Sequence, residues 1–370
     1  MKKYINVYAW FAKNLGDDLM VDMLAKRFPK YSFYTERETK NPFLLKNKNF
    51  RDKNFYKTKY EKIGKWREKL FKKEKGSYAF EHLKKIEDNR FCSILIGGSV
   101  FMQRGALSDD QVRARMRRND SYLNHGPLFV IGANFGAYYT EYFKTSFEEH
   151  FKKCAGVSFR DRLSYDMFSH LPNINYAPDL IFGLEDLPKG KDNSNEVLIS
   201  VIDVSAKYGI EKYAGAYESF LCDFCKYIID IGKTPVLMSF CQAEGDEKAI
   251  GRVLNALGDY AAKTNTYFYD GDMQKALQRI ADSEFVLASR FHAMVLALLF
   301  KKRFYALSYD MKIDNVLNDL NSKLYCSVQE LDRITPKEIF ESVSDISDIT
   351  DYIKSAKNHF NQLAKYLEQR

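Results

Sequence analysis

Residues 281–299 constrain the fold most, because they combine a buried strand, a polar turn and an apolar helix. Residues 284–288 read as a buried strand, with an apolar run after Glu284, and 289–292 read Ser-Arg-Phe-His. Residues 293–299 are continuously apolar, which predicts a helix packed back on a sheet. In open α/β sheets, ligands bind at the carboxyl ends of strands, where helix N-termini present unpaired N–H groups. The turn therefore predicts a ligand site at Arg290 and His292.

Arg290 and His292 have the chemistry that such a site needs. An arginine can hold a carboxylate or a phosphate through two parallel hydrogen bonds, and a histidine can transfer a proton near neutral pH. Both residues also have a purely structural interpretation, in which Arg290 caps a neighbouring carbonyl and His292 is a buried, hydrogen-bonded side chain. The residues by themselves leave both interpretations open.

Strand and helix patterns alternate along most of the chain. In the second half the sequence predicts helices at 211–231, 246–262 and 272–281, and strands at 197–201, 235–240, 266–269, 284–288 and 304–307. In the first half it predicts a helix at 17–28 and strands at 4–9, 92–96, 128–131 and 156–159. Such alternation is typical of parallel, doubly wound sheets, so we predict an α/β protein with two Rossmann-like lobes facing a cleft.

The domain boundary is predicted at 187–195, a polar segment with Pro188 and Gly190 and no apolar period. A chain of 370 residues favours two domains. We predict an N-terminal lobe at 1–188 with a basic insertion at 40–75, and a C-terminal lobe at 195–330. Helices near 335 and at 348–368 form a last segment, 335–370, that is expected to pack on the N-terminal lobe; a dimer seam is the alternative.

The positive charge is concentrated in the insertion. Residues 40–75 contain 14 Lys or Arg and four Asp or Glu, a net charge of +10, so the rest of the chain sums to −2. Interleaved aromatic residues suit nucleic acid, an anionic membrane or an acidic lipid-linked substrate; a solvated insertion is the alternative. We favour the membrane and no nucleic acid, because no nucleic-acid-binding signature accompanies the charge.

The composition, 45% hydrophobic and 29% charged, predicts a soluble protein. The apolar stretch at 291–300 is too short to cross a bilayer. Six scattered cysteines favour a reduced, cytoplasmic protein, peripheral at the inner face of the membrane if the insertion binds lipid. We assign the Cys222-x-x-Cys225 pair to core packing, and we predict no metal site because the histidines lack ligand spacing.

Two loops of the first lobe predict further ligand contacts. Asn14, Gly16, Asp17 and Asp18 follow the first strand, and paired carboxylates suit sugar hydroxyls or a proton transfer better than a pyrophosphate. The loop 97–99, Gly-Gly-Ser, follows another strand and lets a ligand approach the backbone. Neither loop has the GxGxxG fingerprint, so NAD is disfavoured.

Taken in order, these motifs resemble the polysaccharide pyruvyl transferase family. The matching segments are 14–18 (NLGDD), 97–99 (GGS), 160–164 (RDRLS), 178–179 (PD), 289–293 (SRFHA) and 309–312 (YDMK). Family members commonly have a third glycine where this chain has Ser99. The pair Arg160 and Asp161 is expected to form a structural ion pair at an inter-domain surface.

The resemblance implies a GT-B-like two-lobed fold and an enzyme that moves the pyruvyl group of phosphoenolpyruvate onto a sugar as a ketal, without a further cofactor. The residues assigned to the reaction are His292, Arg290 and Asp17; those assigned to the donor are Arg290, His292, Ser289, Lys312 and Lys207; those assigned to the acceptor are Asn14, Asp17, Asp18, Gly97, Gly98 and Ser99. His292 is the expected general acid.

Two other functions stay open at this point. A glycosyltransferase of the same fold would use a nucleotide sugar, and a non-catalytic protein would bind glycans or a membrane through the 40–75 segment. The expected partners are phosphoenolpyruvate, a sugar acceptor linked to a lipid or a nucleotide, and the anionic membrane surface. The sequence leaves the oligomeric state open.

Overall fold

The computed structural model describes residues 3–71, 77–103, 105–191, 194–342 and 348–369. Its strands are β1 Tyr4–Tyr8, β2 Ser32–Thr35, β3 Phe50–Asp52, β4 Arg90–Ile96, β5 Leu128–Ala133, β6 Gly156–Phe159, β7 Ile174–Tyr176, β8 Glu196–Val201, β9 Thr234–Ser239, β10 Asn265–Phe268, β11 Phe285–Ala288, β12 Arg303–Ser308 and β13 Tyr325–Ser327. Its helices are α1 Leu15–Arg27, α2 Lys53–Phe71, α3 Ser77–Asp88, α4 Asp109–Asp120, α5 Glu141–Lys153, α6 Arg162–Phe168, α7 Ala214–Asp230, α8 Asp246–Leu257, α9 Met273–Ala281, α10 Phe291–Leu299, α11 Met311–Asp319, α12 Pro336–Glu341, α13 Thr350–Ala356 and α14 Asn361–Glu368.

These elements form two lobes, each built on a parallel sheet. The first sheet has the strand order β3-β2-β1-β4-β5-β6-β7 and the second the order β10-β9-β8-β11-β12-β13. Neighbouring strands pair in parallel throughout the described residues, for example β1 with β4 and β8 with β11. Parallel sheets need both faces covered, which explains why their central strands are apolar runs rather than alternating ones. The predicted doubly wound α/β class is confirmed.

Four strands, β2, β3, β7 and β13, were not predicted. Each has only three or four residues and lies at or next to the edge of a sheet. None of the four has the continuous apolar run that marks the central strands, so its pairing partner rather than its own sequence makes it a strand.

The two lobes share one apolar core behind the cleft. This core includes Leu15 and Met20 of α1 in the first lobe and Ile280 and Met294 of the second lobe, all buried. The backbone N–H of Leu15 also donates to the carbonyl of Phe240, at 3.1 Å, across the lobe junction. The strand ends of the two lobes are therefore held at a defined separation by packing.

The C-terminal segment divides between the lobes, which corrects one part of the predicted organisation. Phe340 of α12 is buried in the core of the second lobe, 5.2 Å from the ring of Phe285. By contrast α13 and α14 return to the first lobe, where buried His359 bonds to Ser158 and to the carbonyl of Pro178. A 3-10 turn at Lys357–Phe360 interrupts the single helix predicted at 348–368, because His359 and Phe360 turn into the core there.

The basic insertion contains a 3-10 turn at Leu44–Lys46, then β3 at the edge of the first sheet, then α2, which packs against α3. A small core of Tyr4, Tyr34, Tyr56 and Ile86 attaches these helices to the lobe. The rest of the predicted insertion, 72–75, lies outside the described residues. The other predicted domain limits stay predictions; in the described part of 187–195 the chain forms neither helix nor strand.

Candidate active site in the interlobe cleft

The strand ends of both lobes open into one cleft of about 1330 Å³. Its lining includes eight Lys or Arg and five Asp or Glu side chains, so it is net positive: Arg37, Arg115, Arg118, Arg160, Lys207, Lys248, Arg290 and Lys312 against Asp17, Asp203, Glu244, Asp310 and Asp314. This excess of positive charge favours an anionic ligand.

His292 lies on the wall of the cleft, in the first turn of α10. The turn before it is fixed because the backbone N–H groups of Ser289 and Arg290 both donate to the Ser200 hydroxyl, at 2.9 and 3.0 Å. Burial lowers the pKa of His292, and although the Asp179 carboxylate opposes this, the net pKa falls below its usual value. The imidazole is therefore neutral at pH 7 until an anion approaches it.

Arg160 reaches His292 from the other lobe. Its Nη1 lies 3.0 Å from Asp179 Oδ2 and 3.5 Å from His292 Nε2, and its Nη2 donates to Asn134 Oδ1 at 2.8 Å. Its guanidinium also lies 4.3 Å from the centre of the Phe291 ring. Burial would raise the pKa of Asp179, but His292 and Arg160 outweigh it and hold that pKa below its usual range. Asp179 is thus a charged carboxylate that orients both groups.

The predicted ion pair between Arg160 and Asp161 is wrong. Asp161 instead caps α6, accepting from the backbone N–H of Ser164 at 2.9 Å and from its hydroxyl. The sequence paired Arg160 with its neighbour Asp161. Its actual partner, Asp179, is 19 residues away along the chain, and no local pattern links the two.

Two glycines make room for these side chains. A Cβ at Gly16 would lie 1.8 Å from His292 Nδ1, and a Cβ at Gly98 would lie 2.3 Å from the Cζ of Arg160. The sequence predicted a close backbone approach at both glycines, but with a ligand. The structure shows that the groups approaching the backbone are the imidazole and the guanidinium.

Lys312 completes this group from the start of α11. Its Nζ lies 3.2 Å from the Tyr309 hydroxyl and 3.4 Å from Asp310 Oδ2. Burial lowers the pKa of Lys312, but Tyr309 and Asp310 outweigh that effect and raise it, so the ammonium stays charged. Its charge also lowers the pKa of His292, as does that of Arg160. The three groups therefore act on one another electrostatically.

Arg290 lines the cleft, and carboxylates of the second lobe hold its guanidinium. Its Nη1 donates to Glu244 at 2.6 Å, while its Nε and Nη2 donate to Asp246, and only 7% of the residue is exposed. Lys207 bonds to Glu244 as well, at 2.6 Å. Two of the three cations assigned to the donor, Arg290 and Lys207, are thus paired with carboxylates of the protein, and Arg290 does not cap a carbonyl either.

The two carboxylates of the acidic loop, Asp17 and Asp18, lie in different environments. Asp17 faces the cleft, where burial, with the charges of Asp18 and Glu244, raises its pKa to about 7. Asp18 is buried at the lobe junction, where its Oδ2 accepts from Tyr269 and from Asn41, each at 2.8 Å. Assigning Asp18 to the acceptor was therefore wrong, while Asp17 has the protonation behaviour of a group that transfers protons.

Of the other predicted contact residues, some line the cleft and others do not. Ser289 is buried and its hydroxyl accepts from Tyr217, and Gly97 lies beneath Asp17, so neither lines the cleft. Asn14 and Ser99 do line it, along with Gly98. The side chain of Asn14 caps α1 and donates to Glu244 at 3.3 Å, which joins the lobes at the cleft floor.

Three exposed aromatic side chains in the cleft were missed by the sequence reasoning. Trp10, Tyr139 and Tyr208 are 50%, 55% and 67% exposed. Tyr208 extends from the second lobe toward the first, where a Cβ at Gly105 would lie 3.3 Å from its hydroxyl. Their positions directly after strands or in loops could have identified them as exposed. An aromatic residue outside any periodic apolar pattern is not explained by packing in the core.

Within the described ranges, no group of His, Cys, Asp and Glu is arranged to hold a metal ion. The same residues include no helix long and apolar enough to cross a membrane.

Known structures share this architecture at low sequence identity. The MnaA–UDP complex of S. aureus has a TM-score of 0.58 and 11% identity, and the match covers 100% of this chain and 97% of that one. UDP-GlcNAc 2-epimerase of Methanocaldococcus jannaschii, solved with UDP-GlcNAc and UDP, has a TM-score of 0.58 and 10% identity over 99% of this chain and 100% of that one. HepE of Anabaena with UDP-glucose has a TM-score of 0.55 and 10% identity, with 100% of both chains covered.

The predicted GT-B-like fold is thereby confirmed. No curated protein matches the chain in sequence. The model of the family described as polysaccharide pyruvyl transferase matches residues 14–311, which include the acidic loop, Arg160, Asp179 and the turn carrying His292. This chain belongs to the polysaccharide pyruvyl transferase family.

Proposed function

We propose that this protein transfers the pyruvyl group of phosphoenolpyruvate to two hydroxyls of one sugar in a polysaccharide precursor, and releases phosphate. The observation that carries the proposal is the meeting of Arg160, His292 and Lys312 on one wall of a net positive cleft. These residues come from three distant parts of the chain and from both lobes.

The donor binds to this wall through its two anionic groups. Phosphoenolpyruvate carries a carboxylate and a phosphate on a three-carbon frame, so its pocket needs two cationic contacts close together. Lys312 and Arg160 are the cations of this wall, and Asp179 fixes the direction of the guanidinium. Arg290 has a supporting role, because its charge holds the pKa of Glu244 below its usual range and its guanidinium holds Asp246 in position.

The reaction requires the transfer of two protons. The methylene carbon of the donor gains a proton, a sugar hydroxyl bonds to C2, the C2–O bond to phosphate breaks, and a second hydroxyl bonds to C2. The two hydroxyl protons balance the new methyl group and the released phosphate. Asp17, with its pKa at about 7, can give or accept a proton at neutral pH, and a bound phosphate raises the pKa of His292 so that it becomes a donor.

The acceptor occupies the remainder of the cleft. A cleft of about 1330 Å³ far exceeds what a three-carbon donor fills, and a typical pocket for a small ligand is roughly 300–1000 Å³. Trp10, Tyr139 and Tyr208 offer ring faces on which sugar rings stack. The acceptor is therefore a sugar on a large carrier, a lipid diphosphate or a nucleotide, and a lipid carrier would be used at the inner face of the membrane.

The test is to incubate the purified protein with phosphoenolpyruvate and a panel of UDP-hexoses, UDP-N-acetylhexosamines and lipid-diphosphate sugars. We expect phosphate release that depends on one acceptor, and a product heavier than that acceptor by pyruvate less one water. His292→Ala and Lys312→Ala should abolish release, while His170→Ala and Lys365→Ala, both at exposed positions, should not. Turnover of a UDP-sugar without phosphoenolpyruvate would instead identify a glycosyltransferase.

A further inference from the structure

The exposed face of α2 carries a stripe of two basic side chains flanked by two aromatic ones. Phe55, Lys59, Lys62 and Trp66 follow one another at spacings of four, three and four residues, which places them on one face of the helix, and all four are exposed. Trp66 is 61% exposed, although large aromatic side chains in a soluble protein are usually well buried. Phe55 contacts the core residue Tyr56, with ring centres 5.5 Å apart, and the rest of this face lies outside the described core.

The paired helix α3 adds a similar combination. Phe80 is 70% exposed, and Lys84, one turn further along, is exposed on the same side of the helix. Because α2 and α3 pack against each other, Phe80 near the start of α3 and Trp66 toward the end of α2 belong to the same end of the pair. Two of the three exposed aromatic side chains, Trp66 and Phe80, therefore lie toward the end of the pair that is farthest from its attachment to the lobe, while Phe55 lies near that attachment.

The charge of α2 is strongly positive. Between Lys53 and Trp66 the helix has five lysines, all exposed, and one acidic residue, Glu61. In the same span of the described structure, one lysine, Lys53, forms an ion pair, with Glu87 at 3.5 Å. Most of this charge is thus available to an external anionic surface.

The base of the helix pair is firmly attached to the first lobe. Tyr56 packs edge-on against Tyr4 with ring centres 6.1 Å apart, and Tyr60 contacts His82 of α3 with ring centres 4.7 Å apart. The stripe is therefore presented on an ordered scaffold, so a partner that binds it does not have to order this helix first.

We propose that Phe55, Lys59, Lys62, Trp66 and Phe80 form a docking surface for an anionic lipid bilayer. Lysines bind acidic headgroups while their methylene stems lie against apolar groups, and tryptophan and phenylalanine enter the boundary between headgroups and acyl chains. Nucleic acid is the other anionic partner that exposed basic and aromatic side chains bind, and no nucleic-acid-binding signature accompanies this charge. The inference does not depend on the reaction proposed for the cleft.

The test is co-sedimentation of the full chain with mixed vesicles of phosphatidylcholine and phosphatidylglycerol, and with vesicles of phosphatidylcholine alone. We expect binding only to the mixed vesicles. Lys59→Glu combined with Lys62→Glu should weaken it on the order of tenfold or more, and Trp66→Ala with Phe80→Ala should weaken it without changing the charge. Lys354→Glu with Lys365→Glu makes the same charge change on exposed positions elsewhere and should leave binding intact.

Three results would overturn the proposal: no preference for the anionic vesicles, equal losses in both double lysine variants, or tighter binding of duplex DNA than of vesicles through Lys59 and Lys62. The altered side chains are exposed, so thermal unfolding should be unchanged, and this is checked for every variant. Phosphate release with a water-soluble acceptor should also persist in these variants. Loss of lipid binding is thereby distinguished from failure of the proposed reaction.

Discussion

Replacing Gly16 by alanine should remove activity by displacing His292 while leaving the fold intact. The new Cβ would lie 1.8 Å from Nδ1, 2.3 Å from Cε1 and 2.5 Å from Cγ, whereas ordinary contact begins at 3.4 Å. The imidazole must therefore retreat by roughly 1.6 Å, and a displacement of about 1 Å in a catalytic group costs on the order of 10² in rate. We expect kcat to fall at least about 100-fold.

The stability effect of Gly16→Ala should be much smaller than its effect on rate. Gly16 does not have a positive φ, so its backbone accepts alanine without strain. Crowding costs about 1–3 kcal/mol, and the better helix propensity of alanine offsets about 1 kcal/mol of it. The assays are phosphate release from phosphoenolpyruvate and the midpoint of urea unfolding.

The matched control is Gly251→Ala in α8, where a Cβ would meet nothing within 4 Å. It should keep the wild-type rate and gain up to about 1 kcal/mol in stability. Wild-type kcat in Gly16→Ala would refute the argument, because it would mean that the position of the imidazole does not matter. If Gly251→Ala lost as much rate, the effect would come from replacing any helical glycine by alanine and not from displacing His292.

Three more predictions follow from the cleft and the lobe junction. Burial raises the pKa of Asp18 to about 7 from an ordinary 3.8, so its contribution to stability is present below about pH 4 and lost as pH rises through 7. Asp18→Asn should therefore gain stability over wild type between pH 4 and 7 in urea unfolding, and a pH-independent difference would contradict this. Arg160→Lys keeps the charge but loses the two-pronged geometry, so KM for phosphoenolpyruvate should rise about tenfold or more, whereas Arg113→Lys on an exposed face of α4 should not change it. Trp10→Ala should raise KM for the sugar acceptor and not for phosphoenolpyruvate, and equal effects on both would refute the stacking role.

Local sequence determined the parts of this protein that depend on neighbouring residues. The central strands and most helices could be predicted because buried parallel strands are apolar runs and the helices have periodic apolar faces. The positions of Asp17 and His292 beside the cleft followed from the same logic, since a motif placed directly after a strand must open at the carboxyl edge. The role of Lys312 was implied by the family resemblance.

Only the tertiary structure decided which side chains meet there. His292 is joined by Arg160 and Asp179 from the other lobe, whereas Arg290, two residues away, is held by Glu244 and Asp246. Nearby residues in a turn point in different directions, and their partners come from loops and helix starts more than 40 residues away, so no local pattern records the pairing. Packing of the two lobes brings these charges together, and burial, which depends on the complete fold, sets their protonation.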